Sequence, residues 1–133
     1  MQRRNLHKPN LLRLPETRLM VSCMLSFRLD SLSSKELYND VLVRLVHGKE
    51  LTLNYFELKN QDVKIPFHDH PVEHLVVVLE GTMEFMFEDQ KLVLKKNGCL
   101  FVPAKTRHTA RVIDGPVKAL EIYTVTEDEY YNR

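Results

Sequence analysis

The chain has 133 residues, of which 44% are hydrophobic and 28% charged, with a formal net charge of +1 at pH 7. This composition is typical of one globular domain, and the near-neutral charge gives no reason to expect nucleic acid as the main partner. The two cysteines, Cys23 and Cys99, lie far apart, which favours reduced thiols in a cytoplasmic protein over a disulfide framework.

The first 28 residues are basic, with six arginines and lysines against one acid, Glu16. Two prolines interrupt any helix there, and the apolar run Leu19–Leu25 is far too short to cross a bilayer, so we expect no membrane partner. Two alternatives stay open for this segment. It is either an organellar targeting piece or a tail upstream of a true start at Met20 or Met24.

A short lead-in element is expected before the main domain begins. A capping serine, Ser33 or Ser34, is followed by helix formers through Leu37, a pattern that predicts a turn of helix. Residues 1–40 are therefore assigned to an N-terminal extension that is basic, partly disordered and contains this lead-in.

From residue 41 onward the hydrophobic pattern alternates with a period of two, which predicts a series of short strands. Asn97-Gly98 and Asp114-Gly115 are turn dipeptides, and Gly81 is expected to form the tight turn of a hairpin. The spacing leaves no room for crossover helices, so it favours an antiparallel sandwich or barrel. The predicted strands cover residues 41–46, 51–59, 63–67, 68–80, 83–87, 91–94, 99–102, 108–113 and 117–124.

The most informative stretch is Pro66–Gly81, in which three histidines at even positions precede an apolar, mostly β-branched run and a glycine. Side chains alternate faces in an extended chain, so His68 and His70 share a face, and His74 joins them if the alternation survives Pro71. Imidazoles above an apolar floor suit a first-row transition metal, because the rings supply lone pairs while the floor keeps water out.

One alternative concerns the third of these histidines. If Pro71 introduces a bulge, the alternation slips by one residue and Glu73 faces inward in place of His74. The remaining histidines, His7 and His47, are interpreted as a tail and a turn residue.

The segment Gly98–His108 combines a glycine turn, a short apolar strand, a proline and a histidine. With it, the chain resembles the cupin superfamily, whose first motif runs roughly G-x5-H-x-H-x(3,4)-E-x6-G and whose second runs G-x5-P-x-G-x2-H-x3-N. The positions that match these motifs are His68, His70, Gly81, Pro103 and His108.

The chain departs from both motifs in several places. His74 occupies the position where most cupins carry glutamate. In the second motif Lys105 replaces the glycine, Val112 stands where asparagine is expected, and Gly98 is one residue nearer the proline than usual.

The resemblance implies an all-β fold, the double-stranded β-helix or jelly-roll barrel, over residues 41–126, followed by an acidic C-terminal tail at 127–133. It also implies that ligands from separate strands converge on one metal. The expected ligands are His68, His70, His74 and His108.

The identity of the metal stays open among Mn, Fe, Ni, Cu and Zn, because imidazole suits all of these ions. Four neutral ligands would leave a divalent ion its whole charge and two open coordination positions. This arrangement suits a bidentate oxygen ligand.

Three functions are compatible with this sequence. The first is a metal-dependent enzyme, an oxygenase, isomerase or lyase, acting on a small oxygen-rich molecule. The second is a non-catalytic module that binds or senses a small ligand with a structural metal, and the third is a scaffold without metal. A domain of this size buries only about two-thirds of its unfolded surface, so we also expect a homodimer.

Overall fold

The computed structural model describes residues 24–124. The predictions made for the basic segment up to residue 23, for His7 and for the acidic tail from residue 127 fall outside these described residues. None of the described part of the chain forms a helix with the length and hydropathy that a membrane span requires.

Eight antiparallel strands form the domain. Val41 opens a run of strict alternation between buried and half-buried residues that reflects the predicted period of two. The strands are β1 (Lys35–Tyr38), β2 (Val41–His47), β3 (Leu51–Leu58), β4 (Lys64–His68), β5 (His74–Phe87), β6 (Lys91–Leu94), β7 (Cys99–Val102) and β8 (His108–Thr124).

Two long strands, β5 and β8, each pass from one layer of the barrel to the other. The first half of β5 pairs with β7 and with the second half of β8, which in turn pairs with β3. The second half of β5 pairs with β6 and with the first half of β8, which in turn pairs with β4. The result is a two-layered barrel, and the prediction of an all-β jelly roll is confirmed.

Gly81 is not the hairpin turn that the sequence predicted. It lies within β5 at φ +79°, between register shifts, at the point where the strand changes layer. A Cβ atom there would lie 2.5 Å from the carbonyl oxygen of Pro116 and 2.7 Å from that of Asp114, so only glycine fits. Asp114-Gly115 is likewise a bend inside β8 rather than a turn between two strands.

The helical turn predicted before the barrel is also wrong. A short 3-10 turn covers Leu29–Ser31, and the helix formers after Ser34 form β1, which pairs with β2 from Lys35 to Tyr38. Pairing with an available strand edge supplies more hydrogen bonds than one isolated helical turn, so tertiary context overrides local propensity here.

The two ends of the barrel interior differ in chemistry. Near the bends in β5 and β8 the interior is aliphatic, with Val41, Leu58, Val78, Val112 and Val117 fully buried. The opposite end contains the buried polar side chains, and these include His74 and His108. The dry end stabilises the barrel, and the polar end carries the candidate site.

Candidate metal centre

Four histidines meet at the polar end of the barrel, between its two layers. His68 is the last residue of β4 and His108 the first of β8, and the two are directly opposite each other in the antiparallel pair. His74 is the first residue of β5 in the other layer, and His70 lies in the loop between β4 and β5. The strand ends therefore bring together the four residues that the sequence singled out.

Three of the imidazole rings, those of His68, His70 and His108, are close enough to share one ion. The ring centres lie 4.3 Å apart for His68 and His108, 4.6 Å for His68 and His70, and 5.4 Å for His70 and His108. The rings of His70 and His74 are 3.8 Å apart. With metal to nitrogen distances of about 2.1 Å, adjacent imidazole ligands have ring centres on the order of 4.5 to 5.5 Å apart. The separations among His68, His70 and His108 fit this range, whereas the rings of His70 and His74 lie closer together.

The nitrogen donors fall into two overlapping groups. His68, His70 and His108 each offer a nitrogen within 4.8 Å of the other two. His74 does not join that group, but with His70 and Glu121 it forms a second group at the same spacing. His70 thus links a three-histidine set to a pair formed by a histidine and a carboxylate.

Backbone carbonyls hold two of the rings in a defined orientation. The Nδ1–H of His68 donates to the carbonyl oxygen of Pro66 at 2.7 Å, and the Nδ1–H of His108 donates to that of Thr106, also at 2.7 Å. Each bond leaves Nε2 with a free lone pair, which is the form that a metal ligand requires. Burial lowers the pKa of His108, although its hydrogen bond to Thr106 opposes this shift.

His70 has a buried nitrogen without a partner. Its loop is fixed by the backbone N–H of Lys105, which donates to the His70 carbonyl oxygen at 2.6 Å. The ring's Nε2 is buried and makes no hydrogen bond. Burial lowers the pKa of His70 to about 3, and the nearby histidines add to this shift while Glu121 opposes it. A neutral ring with a free, buried nitrogen is compatible with a role as a metal ligand.

Glu121 was not predicted from the sequence. Its carboxylate oxygen lies 3.3 Å from Nδ1 of His74 and accepts a hydrogen bond from the side-chain amide of Asn54 at 3.2 Å. Burial alone would raise the pKa of Glu121, but the neighbouring His74, His70 and Asn54 hold it below its usual value. Both faces of the last strand are apolar around this residue, so the sequence pattern did not mark Glu121 as inward.

The alternative ligand, Glu73, does not face the site. Its side chain is exposed, whereas His74 is only 3% exposed. The inward positions of β5 then continue through Val76 and Val78, so the predicted alternation survives Pro71.

His47 differs from its predicted role. It ends β2 rather than forming a turn and is only 8% exposed, and its Nδ1 lies 2.8 Å from the hydroxyl of Thr52. It belongs to neither histidine group of the candidate site.

A known protein family and several solved structures resemble this chain. Residues 54–123 match the sequence family described as the cupin domain, and no curated protein matches significantly. Similar solved structures include KdgF from a Halomonas species, at 17% identity and a TM-score of 0.70, covering 79% of this chain and 98% of that one.

Two further structures show the same likeness. An RmlC-like cupin from Shewanella frigidimarina has 16% identity and a TM-score of 0.68, with 80% of this chain and 94% of that one covered. The polyketide cyclase RemF from Streptomyces resistomycificus has 19% identity and a TM-score of 0.67, with 80% and 90% covered. At these identities the likeness extends to the fold.

Proposed function

This chain belongs to the cupin domain family, and from that premise we propose that it is a metal-dependent enzyme acting on a small oxygen-rich molecule. The proposed ligands of the ion are His68, His70, His74 and His108. The observation that carries the proposal is the buried, unpartnered Nε2 of His70, which lies among three other imidazoles. A buried polar atom without a partner is costly, and an ion bound there would satisfy it.

The donor set fits a first-row divalent ion. His68 and His108 already have Nδ1 bonded to backbone carbonyls, so their Nε2 atoms are available without reorganisation. Imidazole donors exclude Ca and Mg and leave Mn, Fe, Ni, Cu and Zn. When bound, the ion would supply Lewis acidity toward a substrate oxygen.

The chain's own residues shape the rest of the site. Val102, directly opposite His74 on β7, and Val76, directly opposite Glu121, are both buried and make the layer beside His74 apolar. In the other layer of the barrel, the rings of Phe87 and His108 lie 5.7 Å apart. An apolar wall with few polar groups strengthens electrostatic interactions with a bound substrate.

One carboxylate lies beside the histidines, and its position supports a role in proton transfer. Glu57 and Glu84, two other strand carboxylates, form ion pairs with Arg44 and Arg111. Among the described residues, Glu121 is the carboxylate that joins the histidine groups. Through its position beside His74 it can accept a proton from the ring Nδ1 or hold one on that atom.

A panel assay tests the proposed function. Untagged protein loaded with Mn, Fe, Ni, Cu or Zn is incubated with diketones, catechols and thiols while O2 uptake and product formation are followed. One similar structure is a polyketide cyclase, so polyketone substrates belong in the panel. We expect turnover with at least one ion, lost in His108→Ala and kept in His47→Gln. Turnover that survives His108→Ala would contradict the proposal.

A second candidate is a module that binds a small ligand without catalysis. The observation in its favour is that Glu121 already accepts a hydrogen bond from Asn54 and contacts His74. Its carboxylate is therefore occupied by protein groups rather than free to act on a substrate. This candidate predicts that metal-free protein still binds its ligand. Calorimetry on the panel compounds with metal-free and metal-loaded protein separates the two.

A further inference from the structure

The position of Glu121 assigns it a specific task at the candidate metal centre. We propose that Glu121 is a positioning residue, which orients His74 so that Nε2 faces the ion and which places a negative charge behind that ligand. This inference rests on the proposed function. It names a residue that neither the motifs nor the alternation of the sequence identified.

The packing of His74 fixes the plane of its ring but not which edge of the ring carries Nδ1. The ring is stacked on Tyr123 with centres 4.4 Å apart and planes 15° apart, so its plane is fixed. A half-turn of the ring within that plane would exchange the edges and place a C–H where Nδ1 now lies. Stacking does not distinguish these two orientations, because both present the same face to the tyrosine.

Glu121 distinguishes them. Its carboxylate oxygen lies 3.3 Å from Nδ1 of His74. This contact is electrostatic, because the buried Nδ1 makes no hydrogen bond of good geometry, and a carboxylate attracts an N–H but not the C–H of the flipped ring. The proton therefore belongs on Nδ1, and the lone pair of Nε2 is directed to the opposite side of the ring. The same logic applies to His68 and His108, where backbone carbonyls take the place of the carboxylate.

Glu121 is itself held from a third strand. Asn54 on β3 donates one amide N–H to Glu121 at 3.2 Å and lies 3.3 Å from the hydroxyl of Tyr123. An ionised carboxylate is only an acceptor, so the amide nitrogen must be the atom that faces it. The carboxylate and the stacked tyrosine contact His74 directly, and the buried amide of Asn54 holds both of them.

The charge of Glu121 matters as well as its position. Four imidazoles are neutral, so a divalent ion bound by them alone would keep its full charge in a partly buried site. A carboxylate behind one ligand lowers the net charge of the centre and increases the basicity of that ligand. Removal of this charge should therefore weaken metal binding by the four histidines.

The test measures affinity for Co(II) and Zn(II) in the untagged full chain by competition with a chromophoric chelator. Glu121→Gln keeps the size of the side chain and removes the charge, and we expect it to bind the ions about 10- to 100-fold more weakly. Glu80→Gln is the matched control, because Glu80 is an exposed carboxylate on β5 that lies 3.8 Å from Lys118. It should bind within about twofold of wild type.

A double-variant comparison separates positioning from a general structural role. In a His74→Ala background Glu121→Gln should change the affinity by less than about twofold, because the carboxylate acts through His74. The Co(II) absorption spectrum of Glu121→Gln should also differ from that of wild type. Asn54→Ala, which releases Glu121 without removing it, gives the same test if Glu121→Gln does not fold. The loss of metal affinity caused by Asn54→Ala should likewise vanish in the His74→Ala background.

The outcomes are distinct. Wild-type protein that binds neither ion would overturn the proposed function together with this inference. Tight binding by wild type with unchanged affinity in Glu121→Gln would overturn the inference alone. An equal loss in the presence and absence of His74 would also overturn it, since the carboxylate would then act without the histidine.

Discussion

His68 and His108 are direct Cα partners across the β4–β8 pair, and their ring centres lie 4.3 Å apart. One comes from the end of a strand and the other from the beginning of the strand beside it, so the antiparallel register alone brings them together. The candidate site is built around this pair. His70 comes from the β4–β5 loop, and His74 comes from the other layer.

Truncation of either member of this pair should abolish tight metal binding. His68→Ala and His108→Ala each remove a nitrogen that is already oriented by a backbone carbonyl. We expect affinity for Zn(II) to fall by on the order of 100-fold or more. His47→Gln is the control, since His47 lies outside both histidine groups. Equal affinity of His108→Ala and the control would contradict the assignment.

The assignment of His74 rather than Glu73 as a ligand is tested by one variant of each residue. His74 is buried beside the other rings, whereas Glu73 is exposed. We therefore expect His74→Ala to weaken Co(II) binding by about tenfold or more and Glu73→Gln to leave it unchanged. A metal titration followed by visible absorption measures both. Loss of binding in Glu73→Gln would show that the strand can shift its register at Pro71.

Metal-free protein should lose stability as the pH falls from about 6.5 toward 3. The folded-state pKa of His70 is about 3 because the ring is buried, while the unfolded chain takes up that proton near the ordinary value of 6.5. Between these values the unfolded state binds more protons, so acidification favours unfolding. His108 shifts in the same direction. Urea unfolding at several pH values measures the effect.

Two comparisons identify the groups responsible for this pH dependence. His70→Gln should flatten the dependence between pH 5 and 6.5, because its side chain does not titrate. Glu121, whose pKa the neighbouring histidines hold below its ordinary value, affects only more acidic conditions. Saturating Zn(II) should protect the folded state in the same window. An identical slope for wild type and His70→Gln would refute the explanation.

Gly81→Ala should destabilise the barrel by about 2 to 4 kcal/mol. The residue has φ +79°, and a Cβ atom would lie 2.5 Å from a backbone carbonyl oxygen of β8. Gly48→Ala is the matched control, because its added Cβ would meet only Leu51 oxygen at 3.4 Å. The free energies of unfolding in urea compare them. A Gly81→Ala protein as stable as Gly48→Ala would show that β5 does not need a glycine at its bend.

The sequence revealed the fold class because the alternation from Val41 onward has a period that only strands share. It did not reveal that β5 and β8 continue through their glycines, because Gly81 and Asp114-Gly115 have the composition of turns. Whether a glycine ends a strand or bends it depends on what packs against it, and that partner lies more than 30 residues away in the chain.

The candidate site was likewise predicted only in part. His68, His70, His74 and His108 carry their spacing in the sequence, so alternation and motif resemblance were sufficient to select them. Glu121 lies on a strand segment that is apolar on both faces, and Asn54 lies on a strand with polar residues on both faces, so no local pattern marks either side chain as part of the site. Their role follows only from the pairing of β3, β8 and β5, which is a tertiary property.

The most direct test of the account is the metal content of untagged protein after equilibrium dialysis against Co(II) or Zn(II). One ion per chain is expected for wild type, and none for a His68→Ala, His108→Ala double variant that keeps its β-sheet circular dichroism. Wild-type protein without bound ion, or a double variant that retains one, would contradict the claim that these imidazoles form a metal centre.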